Sequence, residues 1–213
     1  MNRKSFLVPA CIACAALGAL VGSLATAGTD AKSGAPEMKL PKGWTAEDMQ
    51  ACMEAGMLGE QHKQLAKGIG TWEGKCTMWM GPESDPMVSD STSTVTSMLD
   101  GRYIHVEFKG DMPGMGPYTG MGVQGFDNVS KKYVSAWLDN MGTGIMNGTG
   151  ELSSDGSTMT WTYTVNCPIA KKPVTMREVQ TIHGNSMTLE MFGPDPKTGK
   201  EFKSMKIELS RKG

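Results

Sequence analysis

Ten short runs of alternating apolar and polar residues, with little but turns between them, constrain this chain more than any other feature. They fall near residues 71–80, 88–99, 102–109, 118–127, 132–140, 144–153, 157–166, 173–183, 186–192 and 201–211. Turn-forming residues separate them: Gly81-Pro82, Asp100-Gly101, Asp127-Asn128, Asp155-Gly156, Gly184-Asn185 and the stretch from Pro194 to Gly199. Successive side chains on a strand point to opposite faces, so a period of two over short runs reads as half-buried strands. Hairpin-sized connections make each strand antiparallel to the next. The sequence therefore predicts an all-β, up-and-down meander of about ten strands, closed into a barrel so that no edge is exposed. A two-sheet sandwich is the alternative packing.

The pattern also says which face turns inward. In 157–167, Met159, Trp161, Tyr163, Val165 and Cys167 share one side while Thr158, Thr160, Thr162 and Thr164 share the other. The apolar set is predicted to face the interior and the threonines water. The last run puts Met205, Ile207, Leu209 and Arg211 together on one side. The first run opens with Gly70-Thr71-Trp72-Glu73-Gly74, so an inward Trp72 and an inward Arg211 are expected at the same end. An indole there plugs the barrel, and a guanidinium lying across its face adds about 0.5–2 kcal/mol. Gly70, Trp72 and Arg211 are the predicted barrel floor. Glycine makes up 27 of 213 residues, well above the usual fraction of about 7%. Gly74, Gly120, Gly122, Gly125, Gly148 and Gly150 fall inside strand runs, where they either let strands coil or leave room for a ligand.

The Gly-x-Trp with a late arginine resembles the calycin group, which includes lipocalins and fatty-acid-binding proteins. Ten strands are closer to the fatty-acid-binding and nitrobindin types than to the eight-stranded lipocalins. The Gly70 to Gly74 spacing is also similar to the opening of nitrobindin, a haem-binding barrel. Longer strings carry a more specific likeness: Gly110-Asp-Met-Pro-Gly-Met-Gly-Pro117, Gly125-Phe-Asp-Asn128, Trp137-Leu-Asp-Asn-Met-Gly-Thr-Gly144 and Asn166-Cys-Pro168. These resemble a bacterial domain-of-unknown-function family, number fifteen seventy-nine. That resemblance implies a family and no activity.

Upstream of the strands the chain reads differently. Arg3 and Lys4, the apolar stretch from Phe6 to Leu24, and Ala25-Thr26-Ala27 have the form of a cleavable export signal over residues 1–27. An uncleaved anchor is the competing reading, weakened by Pro9, Gly18, Gly22 and Ser23. Cleavage leaves 186 residues, with no second apolar run long enough to span a membrane, and predicts a periplasmic or extracellular protein. Residues 28–43 read as a flexible linker and 44–213 as one barrel domain with an N-terminal helical cap. Thr45 and Asp48 carry the N-cap signature of a first helix, and a second is expected at about Glu60 to Lys67. Cys52, Cys76 and Cys167 allow one disulfide in an oxidising compartment; strand facing favours Cys76 with Cys167.

Candidate chemistry is sparse. Net charge is −1, from 21 basic and 22 acidic residues, which provides no footprint for nucleic acid. Among the histidines, His62 is expected to face solvent, His105 to point outward, and His183 to sit at a strand end, where a haem ligand could lie. Methionine is abundant, 19 in all, and Met112 and Met115 flank a loop where soft thioethers could hold Cu(I). Met is also an adaptable lining for apolar interiors. Asp127-Asn128 and Asp139-Asn140 read as turn chemistry rather than a carboxylate dyad. With no nucleophile elbow or phosphate loop, the sequence leans away from an enzyme. Its expected role is binding of a small apolar molecule, lined by Met78, Met159, Trp161, Tyr163 and Met205. A haem or copper protein is one alternative, and a filled barrel acting through its surface is another.

Overall fold

The computed structural model describes residues 40–213. The export signal read over residues 1–27, and the linker as far as residue 39, lie outside the described residues. Among the described residues, those as far as Met57 and those from Leu58 onward fall into two units. In the first, helix α1 (Ala46–Ala55) starts at Thr45. The Thr45 hydroxyl accepts from the Asp48 N–H at 3.1 Å, and the Asp48 carboxylate accepts from the Thr45 N–H at 2.8 Å. That reciprocal pair is the capping box its spacing predicts.

The second unit begins with the short helix α2 (Glu60–Ala66). The strands follow as β1 (Gly70–Met78), β2 (Met87–Met98), β3 (Tyr103–Met112), β4 (Gly116–Asp127) and β5 (Lys132–Asp139). They continue as β6 (Met146–Leu152), β7 (Thr158–Cys167), β8 (Lys172–His183), β9 (Ser186–Pro194) and β10 (Glu201–Arg211). Each strand pairs antiparallel with its neighbours in sequence, and β10 returns to β1, so the sheet is a closed ten-strand up-and-down barrel. No sandwich forms. A bulge at Lys203–Met205 is the one register shift between β9 and β10.

Trp72 and Arg211 are direct partners in the β1–β10 register, which defines the floor end. The Trp72 side chain is 0% exposed, and its Nε1 donates to the Gly68 carbonyl at 2.9 Å. The Arg211 guanidinium lies 4.1 Å from the centroid of the indole and donates to the carbonyls of Lys67 and Ile69. Gly70 has φ +138, and a Cβ there would stand 2.5 Å from an Arg211 nitrogen, so only glycine fits. Helix α2 lies at the same end, with the Gln64 amide donating to the Gly156 carbonyl of the β6–β7 turn at 2.8 Å. The opposite end, the mouth, is formed by the β1–β2, β3–β4, β5–β6, β7–β8 and β9–β10 connections.

Most of the strand glycines turn out to serve aromatic rings. A Cβ at Gly120 or Gly122 would meet the Trp137 ring at 2.3 and 2.7 Å. At Gly148 it would meet Tyr163 at 2.4 Å, at Gly150 Trp161 at 2.7 Å, and at Gly125 Tyr103 at 2.5 Å. The Trp137, Trp161 and Tyr163 rings lie over glycines of the neighbouring strand on the inner face, and the exposed Tyr103 ring lies over Gly125 on the outer face. Gly74 differs, since its Cβ would strike the Glu208 carbonyl at 2.0 Å.

The cysteine expectation needs correcting. Cys76 and Cys167 are free thiols, and Cys52 is disulfide-bonded. Strands β1 and β7 are separated around the barrel by β8, β9 and β10. At about 4.8 Å per strand that span far exceeds the Cα separation a disulfide tolerates, about 7 Å. The Cys167 sulfur instead accepts from the Ala170 N–H at 3.4 Å within the β7–β8 turn.

Candidate functional site

Inward-facing side chains leave the barrel centre open. A cavity of about 420 Å³ runs between the α2 end and the mouth, within the range of about 300–1,000 Å³ that small-molecule sites occupy. Met78, Met159, Trp161, Tyr163 and Met205 all stand in its wall, together with Val106, Phe108, Ile207 and Leu209. Nine methionines line it. Unbranched thioether chains repack easily, so such a wall adapts to the shape of an apolar guest.

Polar groups interrupt the wall at two heights. In the middle, Glu178 on β8 faces Trp161 on β7 as a direct cross-strand partner. Glu178 is 6% exposed, and burial pushes its carboxyl up to about 7, so that it holds a proton in mildly acidic solution. The Tyr163 hydroxyl donates to the Ser135 hydroxyl at 3.5 Å and lies beside Glu178. Burial, then the nearby Glu178 charge, raises the Tyr163 phenol as well. Trp161 is 0% exposed, and its Nε1 has no hydrogen-bond partner. An orphaned buried donor costs about 1–3 kcal/mol until something accepts from it.

Nearer the mouth, the Trp137 Nε1 donates to the Tyr118 hydroxyl at 3.2 Å, and Tyr118 donates to the Asp139 carboxylate at 3.3 Å. Met112, Met141 and Met146 line this part of the cavity. Cys76 also faces in, with burial pushing its thiol up to about 11, which leaves it protonated and inert.

The other sequence-derived candidates separate. His183 is exposed at the β8–β9 hairpin on the floor end, while Met112 and Met115 flank the β3–β4 turn at the mouth. Met112 is buried in the cavity wall, and Met115 is exposed. These three therefore do not converge. Among the described residues no group of three or more His, Cys, Asp and Glu side chains stands at metal-binding spacing. Asp127 and Asp139 cap turns at opposite ends of β5, accepting from the Val129 and Met141 N–H groups at 2.9 Å each. His105 lies on the outer side of β3, between the inward Ile104 and Val106.

His62 corrects an expectation. It is buried, not solvent-facing: its Nδ1 accepts from the Gly59 N–H at 3.0 Å and its ring meets Phe126 edge-on at 6.2 Å. Burial, then the Arg102 charge, lowers its pKa, which keeps Nδ1 free to accept.

Glu178, Ser135, Tyr118 and Trp137 were not singled out from sequence. In β8 the inward face carries Glu178 and Gln180 between Met176 and Ile182, polar residues that alternation alone assigns to solvent. Pairing with Trp161 is the signal that decides the facing.

Against known proteins the likeness is one of fold and family. No curated protein matches the chain at a significant level. The crystal structure of Rv2717c from M. tuberculosis is similar, with a TM-score of 0.54 and 14% identity, over 74% of this chain and 100% of that one. A family model described as "Protein of unknown function (DUF1579)" matches residues 58–211, which takes in α2 and all ten strands.

Proposed function

Because the chain belongs to the DUF1579 family, whose description carries no activity, we propose from its own geometry that it binds a small, largely apolar molecule inside the barrel. The observation that carries this reading is the methionine-lined cavity of about 420 Å³. A well-packed interior has few voids larger than a water molecule, so an open volume of this size without an occupant forfeits dispersion contacts along its whole wall. The leader-like residues 1–27 support a role outside the cytoplasm.

Native mass spectrometry of protein purified without detergent tests the reading. A mass above that of the chain, lost on denaturation, is expected. So is saturable uptake of an environment-sensitive apolar dye, abolished by Met205→Trp, which fills part of the cavity. Absence of both co-purified mass and saturable dye uptake would sink the proposal.

A further inference from the structure

Within that binding reading, the cavity wall also specifies the polar end of the guest. Trp161 contributes an indole N–H that is fully buried and unpartnered, at mid-height in the wall. Its cross-strand partner Glu178 and the neighbouring Tyr163 hydroxyl complete a polar patch, with Gln180 two residues along the same inward face of β8. Gly150 holds the indole in place, since any Cβ there would collide with its six-membered ring. The donor is therefore built in rather than accidental.

The ionisable groups in the same wall set the charge that the guest can carry. From the strands, Asp111, Asp139 and Glu178 face the cavity, with Cys76, Tyr118 and Tyr163. Among the described residues that line it, Lys67 is the one cation, and it is solvent-exposed at the floor. A guest carboxylate at mid-height would lose its hydration with no buried cation to compensate it. A carbonyl oxygen carries no charge to desolvate.

We propose that the cavity selects an uncharged apolar molecule bearing a hydrogen-bond acceptor such as a ketone or ester oxygen, seated on Trp161 Nε1 beside Glu178, and that it discriminates against carboxylate-headed lipids. Satisfying an orphaned buried donor gives the acceptor its advantage over a plain hydrocarbon, roughly tenfold or more in affinity.

Competition of methyl nonyl ketone, undecane, decanoate and decylamine against a bound apolar dye, at about pH 6 where decanoate is ionised and decylamine protonated, tests this. The expected ranking places the ketone about tenfold or more above undecane, with decanoate weakest. Trp161→Phe keeps the ring and removes the donor, so it should retain undecane and lose the ketone's advantage. If that variant does not fold, the wild-type ranking decides alone. Ketone and undecane binding equally, or decanoate matching the ketone, would overturn the selectivity. Decylamine ranking first would overturn it in favour of a cation held by Glu178. Failure of every probe and of the dye would instead overturn the apolar-ligand reading itself.

Discussion

The floor of the barrel shows how three residues far apart in sequence become one contact. Trp72 and Arg211 are register partners, and Gly70 is the only residue type that leaves the guanidinium room. Arg211 satisfies the carbonyls of Lys67 and Ile69 while covering the indole, so packing, hydrogen bonding and the cation–π contact all depend on one side chain. Trp72→Ala should therefore destabilise the protein by about 3–5 kcal/mol in urea denaturation, the cost of removing a fully buried aromatic. Gly70→Ala adds a single methyl, yet it combines positive φ with a collision. A loss of about 1–3 kcal/mol is expected. A neutral result for either would mean that the floor is not closed by this contact. This arrangement was legible in sequence, because a Gly-x-Trp and a late Arg on inward faces need only alternation to be placed. His62 was not: in a helix of seven residues, periodicity cannot distinguish a buried imidazole from a solvated one.

At the level of the strand, the aromatic rings and the glycines form paired units. Strand β6 has Gly148 and Gly150 on its inward face, and β7 lays Tyr163 and Trp161 over them. Strand β4 does the same with Gly120 and Gly122 beneath Trp137 of β5. Rings held flat against the wall bury aromatic surface without filling the centre, which is how so wide an interior coexists with large side chains. Gly150→Ala should displace the Trp161 ring, destabilising by about 1–3 kcal/mol and shifting tryptophan emission. Gly142→Ala, in the β5–β6 loop with nothing within 4 Å of the added Cβ, should change stability by less than about 0.5 kcal/mol. Equal effects would refute the pairing. Strand number and approximate bounds were readable because period and turns are local signals. The purpose of the glycines was not, because the ring that needs each one comes from the next strand and only register identifies it.

For the whole molecule, two buried titratable groups pull stability in opposite directions as pH changes. Glu178 binds a proton more tightly in the folded barrel, its carboxyl moving from an ordinary 4.5 to about 7. Between those values the native state holds more protons than the unfolded chain, so stability falls as pH rises through this window. For a group this buried the loss is about 3 kcal/mol. His62 is shifted the other way, below its ordinary 6.5, so the unfolded chain takes the proton first and stability falls as pH drops below that value. Between about pH 5 and 8 these opposed slopes set the wild-type profile, while the lowered carboxyls of Asp127, Asp155 and Asp195 act below that range. Glu178→Gln should leave only the His62 component, with stability rising toward neutrality and a gain over wild type at about pH 8 that vanishes near pH 4. His62→Asn should leave only the Glu178 component, steepening the decline from about pH 5 to 7. Denaturant midpoints for the three proteins across this range decide the matter. If Glu178→Gln merely lowers stability equally at every pH, the carboxyl is ionised in the folded barrel. The polar patch at mid-cavity would then carry a full charge.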